Sequence, residues 1–118
     1  KAVKSGGFDC VGHLDFPKRY YRELSYDREL LAKICTEMVK RDIILEVNTS
    51  SLRAGLDEAM PNADILGIYK KCGGRYFTMG SDAHSAKDLY TFVDQARKVP
   101  LELGLEEVYF EAREMLKV

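Results

Sequence analysis

The chain has 118 residues, with 18 Lys and Arg against 19 Asp and Glu and a formal net charge of −1. That length suffices for one domain, residues 1–118, with a modest core, and the interspersed charges argue against a nucleic-acid partner, which calls for a basic stripe. No apolar run is long enough to span a membrane, and three widely spaced cysteines without a CxxC pair, Cys10, Cys35 and Cys72, read as reduced thiols of a cytoplasmic protein.

Ala2 and Val3 read as the end of a helix that Gly6-Gly7 stops. Phe8-Asp9-Cys10-Val11 is a short strand candidate running into Gly12-His13-Leu14-Asp15. A strand that ends in Gly, His and Asp delivers ligand-type side chains at its tip; the other reading of His13 is a loop histidine bonded to backbone. Phe16 to Tyr21 is expected to be a loop, because Pro17 excludes a helix interior. Its adjacent Lys18 and Arg19, beside Tyr20 and Tyr21, suit a phosphate or another anion. They equally suit a solvated face with long side chains lying along it.

The spacing predicts an amphipathic helix from about Asp27 to Lys40, capped by Ser25 or Asp27. Leu30, Ile34 and Met38 form its apolar stripe, with Leu31 and Cys35 alongside. Ile43 to Asn48 reads as a strand whose apolar start suits burial on both faces. A polar loop, Thr49 to Arg53, follows. Glu46, Asn48 and Arg53 lie at or near this strand's end. Arg53 could grip an anion with both arms of its guanidinium; Glu46 is either part of a site or a buried carboxylate satisfied by neighbouring donors.

Pro61 opens a second helix, Ala63 to Cys72, which Gly73-Gly74 ends. Tyr76 to Met79 is a strand, and Gly80-Ser81-Asp82-Ala83-His84 follows it. In extended backbone Asp82 and His84 point to one side, where a carboxylate and an imidazole suit a divalent metal such as Zn, Fe or Mn. Alternatively, Ser81 or Asp82 caps the next helix and His84 is a loop residue. A third helix is expected over Ala86 to Lys98, with Leu89, Phe92, Val93 and Ala96 inward, broken at Val99-Pro100. Val108 to Phe110 is a short strand, and Glu111 to Val118 is helix-prone. Alternation of strand and helix implies an α/β fold with a parallel sheet and crossover helices. One site is then expected at the carboxyl ends of the strands.

Three stretches together resemble the PHP family of metal-dependent phosphoesterases, and within it the histidinol-phosphate phosphatases. They are Phe8–Asp15 with Pro17-Lys18-Arg19-Tyr20, Leu45–Arg53, and Gly80–His84. The resemblance extends along nearly the whole chain. It implies the C-terminal part of a distorted seven-stranded β/α barrel whose full site holds up to three divalent metals (Zn, Mn or Fe). His13, Asp82 and His84 match the family's metal ligands, each serving a different metal. The earlier ligands of the family have no counterpart here, so the missing part of the barrel, or another copy of the chain, is an expected partner. By the same resemblance the substrate is a small phosphate ester, L-histidinol phosphate in histidine biosynthesis. Lys18, Arg19 and Arg53 would bind its phosphate, and Asp15 would contact the substrate amine or assist proton transfer. Metals would offset the repulsion between an anionic nucleophile and the phosphate dianion. The alternatives are another PHP phosphoesterase, or an inactive fragment.

Overall fold

The computed structural model describes residues 1–21 and 25–118. A short helix α1 (Ala2–Ser5) precedes strand β1 (Cys10–Val11) and a 3-10 turn at Phe16–Arg19. Then come α2 (Arg28–Lys40), β2 (Ile44–Asn48), a helical turn α3 (Ser50–Arg53) and α4 (Ala63–Lys71). Strand β3 (Tyr76–Gly80), a 3-10 turn at Ala86–Asp88, α5 (Val93–Glu102), β4 (Glu106–Glu111) and β5 (Glu114–Lys117) complete the order.

The five strands form one sheet in chain order. The first four run parallel, and β5 returns antiparallel to β4, so the sheet is mixed. Its register sets the two faces. Leu45 pairs with Phe77 and Val47 with Met79, and these join Leu31, Cys35, Met38, Ile65, Leu66, Tyr69 and Ala96 in one core under the helices. Glu46 pairs with Thr78 and Asn48 with Gly80, and by the two-residue period these take the opposite face. The sheet curls. Arg113, in the β4–β5 turn, donates two hydrogen bonds to Asp9, just before β1 and 104 residues away.

Local chemistry accounts for the helix starts. Asp27 accepts from the amides of Glu29 and Leu30 at the start of α2, and Asn62 accepts from the Ile65 amide in the first turn of α4. Both are capping side chains that satisfy otherwise orphaned donors.

Several sequence expectations are corrected. The buried stripe of α2 is Leu31, Cys35 and Met38, while Leu30 is 55% exposed; both sets have helical spacing, and tertiary contact chooses between them. Thr49–Arg53 is not an open loop, since Ser50, Ser51 and Leu52 are buried in a helical turn. The third helix starts at Val93 rather than Ala86, because Tyr90 and Phe92 take left-handed backbone angles that interrupt it. Leu89 and Phe92 are exposed, and of the expected inward set only Ala96 is fully buried. Pro100 lies inside α5, two residues from its end, where a missing N–H costs one bond of a ladder that is already closing. The tail is a strand and not a helix. Pairing of Tyr109 with Leu116 and Phe110 with Met115 overrides good helix formers in Glu111–Val118.

Candidate active site

The carboxyl ends of β1 and β3 bring the sequence motifs together. His13 lies two residues beyond β1 and Asp82 two residues beyond β3, and both adopt left-handed angles, φ 55° and 51°. Non-glycine residues rarely do so, and such positions cluster at functional sites. His13 Nε2 lies 4.0 Å from Asp82 Oδ2, and Arg19 Nη1 lies 3.7 Å from the same oxygen. The Phe16 ring meets the His13 imidazole edge-on, with centroids 5.6 Å apart. One carboxylate oxygen therefore faces an imidazole and a guanidinium.

Arg53 organises the neighbouring loop. Its Nη1 donates to the Ser81 carbonyl at 2.5 Å and its Nη2 to the Asp82 carbonyl at 3.0 Å. Its Nε lies 4.0 Å from Asp88, a partner the sequence did not single out. His84 is exposed, and its Nδ1 donates to the Asp82 carbonyl at 2.8 Å. A carbonyl can only accept, so in the neutral ring the lone pair sits on Nε2, directed away from this bond.

Lys18 and Asp15 are engaged elsewhere. The Lys18 ammonium pairs with Glu58 at 2.9 Å and donates to the Ala59 carbonyl. Asp15 is 1% exposed and one of its oxygens accepts from the Asn62 amide at 3.0 Å, which ties the strand-end loop to the start of α4. Burial pushes the Asp15 carboxyl above the usual carboxylate range, against the opposing pull of the Asn62 amide. The geometry makes Asp15 a brace rather than an accessible proton donor. Asn62 could have been found from its place beside Pro61 at a helix start; Glu58 left no local signal.

The donor set fits part of a metal site. His13 Nε2 and Asp82 Oδ2, both donors that a divalent ion accepts, stand 4.0 Å apart. Among the described residues His13 Nδ1 is buried without a partner, and Nε2 of His84 has a lone pair to offer. Among the described residues no group of three or more His, Cys, Asp or Glu side chains is arranged around one point. Ligands divided among several ions would have this arrangement, each ion needing donors from elsewhere.

No protein-family model matches the sequence. The chain is 30% identical over 114 residues to a probable histidinol-phosphatase of Thermotoga maritima, covering 94% of this chain and 48% of that protein. It is 31% identical over 107 residues to the histidinol-phosphatase of Lactococcus lactis, covering 86% of this chain and 39% of that one. The fold matches the crystal structure of histidinol phosphate phosphatase from Lactococcus lactis, complexed with zinc, L-histidinol and phosphate. That match has a TM-score of 0.78 at 25% identity and covers 98% of this chain and 47% of the other. The chain thus spans less than half the length of the relatives it matches. It is a homologue of the histidinol-phosphatases, aligned along nearly all of its own length with a segment of theirs.

Proposed function

We propose that this chain supplies part of the site of a metal-dependent phosphatase that converts L-histidinol phosphate to L-histidinol and phosphate. The observation that carries the reading is the meeting of His13, Arg19 and Asp82 at two strand ends, in a chain so related. We assign His13, Asp82 and His84 as ligands of divalent ions, zinc first and Mn or Fe as alternatives, up to three in the whole site. When bound, those ions would neutralise phosphate oxygens and activate water.

The chain's own residues then do the following. Arg19 presents its guanidinium beside Asp82, where it can bind a phosphate edge with two parallel hydrogen bonds. Arg53 holds the carbonyls of Ser81 and Asp82, fixing the loop that carries both Asp82 and His84, and can add its charge toward phosphate. Lys18 braces residues 58–59, and Asp15 braces Asn62; neither is assigned to substrate. In this reading the curled sheet is one portion, a single domain, of a seven-stranded barrel, and the remaining ligands come from the rest of that barrel or from another copy. The three free cysteines suit a reducing cytoplasm.

The test is phosphate release from L-histidinol phosphate by the full-length protein, with zinc content measured on the same sample. Asp82→Asn and His84→Ala should each lower kcat/KM by at least about 100-fold, with loss of zinc. Turnover by the parent protein that neither substitution affects would remove the assignment.

A further inference from the structure

Glu46 is a carboxylate for which the site above has no use. It lies on the middle of the three strands that converge on the site, on the face away from the helices. Its side chain reaches toward the carboxyl end of the sheet. Gly80, which is level with Asn48 rather than with Glu46, has no room for a side chain because of it: a Cβ there would fall 2.6 Å from Oε2. A Cβ on Gly12 would likewise fall 2.6 Å from Oε1. The carboxylate thus fills the space that two glycines leave, with one edge toward each neighbouring strand. A glycine in a strand often marks such a close approach.

Its polar contacts are few. Asn48 Nδ2 donates to Oε1 at 3.0 Å, while Asn48 Oδ1 accepts from the Ser50 amide, which fixes the orientation of the Asn48 amide. Among the described residues Oε2 has no donor, and no Lys, Arg or His lies within ion-pair distance of Glu46. A half-buried carboxylate with one oxygen uncommitted is suited to a cation from outside.

Gly12 immediately precedes His13, and Gly80 is two residues before Asp82. The carboxylate therefore lies within about two residues' length, roughly 7 Å, of the backbone at His13 and Asp82. Glu46 also lines a cavity of about 290 Å³, together with Cys10, Thr78, Glu107, Val108 and Phe110. A cavity that has both a carboxylate and an aromatic ring in its lining suits an ammonium or imidazolium group.

We propose that Glu46 is a specificity-determining residue, binding the cationic end of a phosphate ester whose phosphate lies at Asp82 and Arg19. This rests on the phosphatase reading for the phosphate end only. Histidinol carries both a primary amine and an imidazole, whereas p-nitrophenyl phosphate carries no cation.

The experiment compares these two esters in the full-length protein. Glu46→Gln keeps the shape and the Asn48 contact and removes the charge. It should lower the ratio of kcat/KM for L-histidinol phosphate to that for p-nitrophenyl phosphate by about 10- to 100-fold. Gly12→Ala, which pushes the carboxylate aside without removing it, should lower the same ratio. An unchanged ratio in Glu46→Gln overturns the proposal, including the case in which both activities fall together. Calorimetric binding of L-histidinol alone separates this inference from the phosphatase reading. If the parent protein binds histidinol through Glu46 yet hydrolyses neither ester, the phosphatase reading fails and the cation site stands. If histidinol binding does not depend on Glu46, the cation site fails whatever the turnover.

Discussion

Asp15 was read from sequence as a candidate for proton transfer, and its burial gives it a different physical signature. One oxygen accepts from the Asn62 amide and the other is buried with no partner among the described residues. Its carboxyl therefore titrates above its ordinary value of 3.8 in the folded chain, and near that value in the unfolded one. The folded state holds the proton more tightly, so this contribution is fully present below about pH 4 and is lost as pH rises through the folded value. Asp15→Asn keeps an acceptor for Asn62 and removes the titration. In urea unfolding at a series of pH values, the variant should gain on the parent from about pH 4 toward neutrality; a constant difference would show that Asp15 does not titrate abnormally. The convergence of His13, Arg19 and Asp82 was legible in sequence because His13 and Asp82 follow recognisable strand ends and Arg19 sits in the loop beside the first. The pairing of Lys18 with Glu58 was not, because a contact 40 residues apart depends on where α3 and α4 pack.

At the scale of elements, period and breakers placed most of the strands and the first two long helices, and failed where two faces or two structures were nearly equal. In α2, Leu30–Ile34 and Leu31–Cys35 have the same spacing, and packing on β2 and α4 buries the second pair more deeply. Met38→Ala should cost about 2–5 kcal/mol in urea unfolding. Leu30→Ala should change stability by no more than about 0.5 kcal/mol. Equal costs would restore the stripe read from sequence. The tail fails for another reason. Ala112 and Arg113 both occupy left-handed angles, φ 49° and 69°, in the two-residue β4–β5 turn, without the Asn-Gly pair that would announce it. Tyr90 and Phe92 hide the late start of α5 in the same way, since neither residue advertises positive φ.

For the whole molecule, strand–helix alternation carried the parallel part of the sheet, and the antiparallel last strand lay outside it. Because spatial order repeats chain order, each strand can dock on the one made just before it. Nearly every contact in the sheet is then between consecutive units, and the crossovers that join the parallel strands close segments much shorter than the whole chain. The Asp9–Arg113 pair is the exception, joining the two ends of the sequence. A contact with that separation belongs late in the order of events, after the barrier to folding has been crossed. Arg113→Ala should therefore speed unfolding and leave the folding rate unchanged in stopped-flow chevrons; a slower folding limb would mean that the ends meet before the middle is built. On this view the pair slows unfolding modestly, as an exposed ion pair can, and has no part in how quickly the fold is reached. It acts as a latch fastened after assembly.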